Sequence, residues 1–86
     1  MTKSILRKVE RKLYDDGEYS IAWGSWDNGS RGMGERWIDG FPQSRGHPMW
    51  LHVPNHLAIP RLKSLIGEEY ANWPAIRDTL DELIVT

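Results

Sequence analysis

The chain has 86 residues, with 11 basic and 12 acidic side chains, no cysteine and a formal net charge of -1. That length holds one small domain, and area scaling lets roughly 64% of the open-chain surface be buried, enough for a single marginal core. The missing cysteines exclude disulfides, thiolate metal sites and cysteine nucleophiles, and the near-neutral charge excludes a polycation that coats nucleic acid.

No apolar run approaches the length of a membrane span. The opening Met1-Thr2-Lys3-Ser4-Ile5-Leu6-Arg7-Lys8 lacks the apolar stretch of a secretory signal. The expectation is a cytoplasmic protein with no membrane partner.

Residues 3–12 hold the one charge run: Lys3, Arg7, Lys8, Arg11 and Lys12 against Glu10. Ile5, Val9 and Leu13 are four apart, which suits a helix, and share one parity, which suits a strand. Tyr14-Asp15-Asp16-Gly17-Glu18-Tyr19 then sets an Asp-Gly turn between aromatic residues, a hairpin signal. Tyr19, Ile21 and Trp23 alternate with Ser20, Ala22 and Gly24. The reading is a pair of antiparallel strands over residues 7–14 and 18–26, with a helix over residues 3–13 as the alternative. Asp27-Asn28-Gly29-Ser30-Arg31-Gly32 is a second turn cluster. Met33, Glu35 and Trp37 alternate with Gly34, Arg36 and Ile38 in a third strand over residues 33–38. Gly40, Pro42, Gly46 and Pro48 leave no place for a regular element over residues 39–48. Met49-Trp50-Leu51-His52-Val53 is rich in β-formers and closes at Pro54, which makes a fourth strand.

The last third changes character. Leu57, Ile59, Leu62, Leu65 and Ile66 have helical spacing and predict a helix over residues 58–68, with Pro60 in its first turn. Asn72-Trp73-Pro74 starts a second helix with Pro74 at the first helical position. Ile76, Leu80, Leu83 and Ile84 form its apolar stripe, while Arg77, Asp78, Asp81 and Glu82 face the other way. Strands first and helices last predict a single α+β domain over residues 1–86. It comprises an antiparallel meander of three or four strands over about 1–54, followed by two C-terminal helices packed on one face over 55–86.

The segment Trp37 to Trp50 is the most specific stretch, with two prolines, two glycines and three aromatic residues. Its prolines and glycines predict a rigid loop of one shape. Ser44, Arg45 and His47 sit between the bends, and a loop that presents a guanidinium, a hydroxyl and backbone N–H groups can receive an anion. The competing reading pairs Arg45 with Asp39 and uses the loop to cover an open end of the core. Arg36-Trp37, then Gly40, Pro42, Ser44-Arg45-Gly46, Pro48 and Trp50, followed by Val53-Pro54, resembles a G-x-P-x-S-R-G-x-P-x-W pattern of small bacterial proteins. The resemblance spans about residues 14–66 and is densest over 36–54, with His47 and Met49 in variable slots. It implies no established activity, and it implies an origin in mobile elements such as integron cassettes.

Other constellations carry less chemistry. His47, His52 and His56 fall within ten residues but match no metal-ligand spacing, so no metal and no cofactor are expected. Ser44, His47 and Asp39 lack a nucleophile elbow, which leaves a small hydrolase as a third choice. Asp15-Asp16 and Glu68-Glu69 read as a turn and a solvated helix end. Gly29-Ser30-Arg31-Gly32-Met33-Gly34 lacks the Lys-Ser/Thr ending and the helix of a phosphate loop, and reads as a turn. Five tryptophans are many for this length. Trp37 and Trp50 are expected to fill the core. Trp23 and Trp26, three apart, are expected on opposite faces of one strand, leaving one of them for an interface.

The expected function is a non-enzymatic binding or interaction protein that self-associates as a homodimer. Tyr19, Trp23, Trp26 and the 41–50 loop form its expected recognition surface. Arg45 anchors a protein or anionic ligand there, with Ser44, His47 and Arg36 beside it. The alternative is a nucleic-acid-binding accessory protein in which Trp26, Arg31, Arg36, Trp37 and Arg45 stack bases and hold phosphates.

Overall fold

In the computed structural model the described residues are 6–37, 43–44, 47–48 and 50–85. The Asp-Gly turn joins β1 (Leu6–Asp15) to β2 (Tyr19–Trp26). Asp16 makes this turn, since its Oδ1 accepts from the backbone N–H groups of Glu18 and Tyr19, both at 2.8 Å. Gly17 takes φ 89°, a backbone region that L side chains avoid. The chain continues through β3 (Arg31–Trp37), two-residue strands β4 (Gln43–Ser44) and β5 (His47–Pro48), and β6 (Leu51–Val53). Helices α1 (Asn55–Ser64) and α2 (Trp73–Val85) complete it. The main sheet is antiparallel in the order β1-β2-β3-β6, and both helices lie on one face, so the α+β meander is the observed architecture. Among the described residues, no helix is long and apolar enough to cross a membrane.

β1 is a strand, so the helix alternative fails over residues 6–13. Its ten residues face only seven partners on β2, because the register slips between Leu6 and Lys8, Val9 and Arg11, and Lys12 and Tyr14. Each slip is a bulge that turns two consecutive side chains to the same face. Leu6, Val9, Lys12 and Asp15 therefore stand opposite Trp26, Gly24, Ala22 and Ser20. Glu10, Arg11, Leu13 and Tyr14 turn to the helix side, where they meet Arg31, Thr79, the core and Tyr19 respectively. Gly24 admits this approach, since a Cβ there would lie 1.9 Å from the Lys8 carbonyl oxygen.

The core lies between the sheet and the helices. Leu13, Ile21, Trp23, Met33 and Val53 from the strands meet Ala58, Leu62 and Leu65 of α1 and its end, and Ile76 of α2. Asn72 ties α2 to the edge strand. Its backbone N–H donates to Leu13 O at 2.9 Å and its Nδ2 to Lys12 O at 3.1 Å, while its own Oδ1 and O cap Ala75 and Ile76 N–H.

Several boundaries move. β3 begins at Arg31 rather than Met33, and the fourth strand begins after Trp50, while Ile38 and Met49 lie outside the described residues. The first helix starts at Asn55, because the Pro54 carbonyl already accepts from Leu57 and Ala58 N–H. Pro60 is thereby inside α1 instead of in its first turn, with its ring on the exposed side. Residues 39–48 also contain a regular element after all. Gln43 pairs with Pro48 and Ser44 with His47 in a two-residue ladder. Four residues suffice for such a pairing when a two-residue connection, here Arg45-Gly46 in sequence, includes glycine.

Candidate functional site

At the turn end of the first hairpin, three aromatic rings stand in a row across the helix-side face. Tyr14 and Tyr19 have centroids 6.1 Å apart at 54°, and Tyr19 and Trp37 have centroids 5.0 Å apart at 50°. Strand pairing creates the row, since Tyr14 and Tyr19 flank the turn and Tyr19 is registered with Trp37. Glu35, two residues before Trp37 on the same face, is only 7% exposed. A buried carboxylate needs partners. Tyr19 Oη donates to Glu35 Oε2, and Arg61 Nη1 from α1 donates to the same oxygen at 2.6 Å and to Tyr19 Oη at 2.9 Å. The three side chains thus link β2, β3 and α1.

Beside this triad an open cavity of about 260 Å³ is lined by Tyr14, Tyr19, Ile21, Arg61, Ser64, Leu65 and Glu68. Ile21 and Leu65 give it apolar surface, the tyrosines give it aromatic walls, and Arg61, Ser64 and Glu68 give it polar groups. Burial, then the bond to Glu35, pushes the Tyr19 phenol up from its ordinary value. The bond from Tyr14 Oη to Asp16 Oδ2, at 2.9 Å, does the same for Tyr14. Both phenols therefore stay protonated at neutral pH and serve as walls and donors. Asp16 is held below the usual carboxylate range by the Glu18 and Tyr19 N–H groups, so it remains an anion. Ser64 Oγ donates to Arg61 O at 2.6 Å, and among the described residues no histidine lines the cavity. The arrangement is equipped to bind.

A second polar cluster closes the opposite end of the helix-side face. Arg31 grips Glu82 through two bonds, Nε to Oε2 at 2.6 Å and Nη2 to Oε1 at 2.9 Å, and also pairs with Glu10. Arg11 Nη2 reaches Glu82 at 3.2 Å, and the buried Trp23 Nε1 donates to Glu82 Oε2 at 3.2 Å. Glu82 therefore belongs to an inward cluster and not to the solvated face expected for it.

Of the expected recognition surface, the described tryptophans do not share a face. Trp23 and Trp26 are each 2% exposed and lie on opposite faces. Trp23 is core, and Trp26 lies over Gly32 and Gly34 on the far face, edge-on to His52 with centroids 4.9 Å apart. Trp26 Nε1 is buried without an acceptor among the described residues. Arg36 lies on that far face, stacked 4.5 Å over Trp50. The Arg/Trp set of the nucleic-acid reading is split as well, because Arg31 and Trp37 belong to the helix side. Trp37 and Trp50, expected as core fillers, are exposed and half-buried. His52 and His56 are exposed, and no metal-ligand cluster occurs among the described residues. Ser44 and His47 are cross-strand partners in the short ladder. Their side chains, together with Arg45 and Asp39, lie outside the described residues.

Glu35 and Arg61 were missed by sequence reasoning. Glu35 shared its parity with Met33 and Trp37, so a carboxylate on the core face was detectable. Arg61 had no signal of its own, as its position depends on where α1 starts. Comparison with protein-family profiles, with curated proteins and with solved structures finds no match to this chain.

Proposed function

We propose that the chain is a small binding protein of the cytoplasm that takes its ligand in the cavity between the Tyr14–Tyr19 walls and α1. The supporting observation is an open cavity with aromatic sides, two of whose lining residues, Tyr19 and Arg61, are held by the buried Glu35. Binding sites are commonly concave, mostly apolar and fixed by a few polar groups, and this cavity has that composition. The cost of burying the Glu35–Arg61–Tyr19 set is repaid by holding the rim in one geometry.

The test is a fragment titration followed by two-dimensional NMR on the full chain. Saturable shifts confined to Tyr14, Tyr19, Ser64 and Glu68 are expected. A diverse fragment set that leaves those signals in place would remove the reading.

Self-association is a second reading, favoured by a separate observation. Ile66, Tyr70 and Trp73, in the α1–α2 connection and the first turn of α2, are exposed at 55%, 55% and 47%. Light scattering across a dilution series tests it, as argued below.

A further inference from the structure

From the charges around the cavity we infer its ligand class: an organic cation, such as an alkylammonium or a quaternary ammonium group. The inference rests on the binding reading above and adds the ligand's charge to it. Among the described residues Arg61 is the one cation that lines the cavity, and its Nη1 is bonded to Glu35 and Tyr19. That pair is neutral as a unit. Glu68 lines the cavity as an anion, and Asp16 holds the Tyr14 hydroxyl from outside. Glu68 in the lining, with Glu35 and Asp16 bonded to the lining residues Arg61 and Tyr14, sets three carboxylates near one guanidinium, and the net field favours a positive ligand.

The walls agree with the charge. Tyr14 and Tyr19 present tilted rings that together form a corner. Ring faces carry negative charge and attract a cation within about 6 Å of the centroid. Both phenols have raised pKa values and stay neutral, so their faces work through the ring quadrupole. Ile21 and Leu65 give the alkyl part of the ligand an apolar floor. The cation takes the Tyr14 ring and Glu68 as its partners among the lining residues. An anionic ligand at Arg61 would share the guanidinium with Glu35.

The experiment is an NMR titration of the full chain at fixed ionic strength. The probes are choline, its uncharged carbon isostere, n-butylammonium and butyrate. Choline and n-butylammonium are expected to shift the Tyr14 and Tyr19 ring signals saturably, with the isostere weaker. Tyr14→Leu should weaken choline binding about 3–5-fold, the loss of one cation–π wall at a half-exposed site. Glu68→Gln, an exposed position that leaves the core untouched, should weaken it about 2–5-fold and reduce its sensitivity to added salt. Equal binding of choline and its isostere, or no effect of Glu68→Gln, overturns the inference. Saturable binding of butyrate in place of the ammonium probes overturns the ligand charge and leaves the binding reading standing. If neither these probes nor the fragments saturate, both fail together.

Discussion

Among the described residues, Glu82 gathers side chains from three strands. Its carboxylate joins Arg31 and Arg11 and accepts the buried Trp23 N–H, so one α2 side chain fastens β1, β2 and β3. The bond to Arg31 contributes most to holding its carboxyl below the usual range. A carboxyl depressed in the folded state stabilises fully above its unfolded value, near pH 4.5, and loses that contribution as pH falls through the folded value. Wild-type stability should therefore fall on acidification below pH 4.5, and the difference between wild type and Glu82→Gln should shrink over the same window. Glu82→Ala should cost about 1–3 kcal/mol at neutral pH, since it leaves the Trp23 N–H buried without an acceptor. Urea denaturation at a series of pH values measures both. A pH-independent difference between wild type and Glu82→Gln would show that the carboxylate charge does not contribute. Sequence alone placed Glu82 on the solvated stripe of α2. A long glutamate at the edge of that stripe is within reach of arginines on the sheet.

At the scale of elements, the edge strand is the most informative. Three bulges in β1 bring its facing pattern from a period of two residues to one of three, so Leu6, Val9, Lys12 and Asp15 share the far face. A period of three lies between the strand and helix periods. That is why the segment from Ile5 to Leu13 fits both templates in sequence. β2 and β3 carry no such slips, and their alternation was directly legible, down to the opposite faces of Trp23 and Trp26. Asn72 and the α2 stripe were legible too, because a cap and an apolar spacing are local signals. What lay beyond reach was the cavity, which needs the start of α1 to within a turn and the Tyr14–Tyr19–Trp37 register at once. The bulges also make a stability prediction. Gly24→Ala would place a methyl 1.9 Å from the Lys8 carbonyl oxygen, an overlap with backbone that no rotamer relieves. It should destabilise by about 1–3 kcal/mol or more. Ser20→Ala in the same strand should change little. If the two variants melt alike, β1 does not approach Gly24 in solution.

For the whole molecule, the accessible surface is 5758 Å², above the roughly 5,200 Å² expected of a folded monomer of this mass. The radius of gyration, 12.5 Å, is close to the roughly 12 Å expected for 86 residues. A chain this small with surface to spare gains most from a second copy. The edge of β1 is a poor place for it, because bulges, Lys8 and Lys12 oppose strand addition. The other edge, β6, is three residues long. Ile66, Tyr70 and Trp73 are exposed apolar side chains within eight residues of sequence, while Val9, Trp37, Leu51, Leu57 and Ile84 are exposed elsewhere among the described residues. Net charge of -1 sets little repulsion between copies. Light scattering should accordingly give a dimer at high concentration that dissociates on dilution. The Ile66→Lys, Trp73→Lys double variant should be monomeric throughout and melt like the dilute wild type, since both side chains are about half exposed already. A wild type that is monomeric at every concentration would remove self-association. Tyr70 adjoins Tyr14 through the Asp15 N–H to Tyr70 O bond, so the apolar surface would then be read as an extension of the cavity rim. In that case the same double variant should weaken choline binding, which the dimer reading does not require.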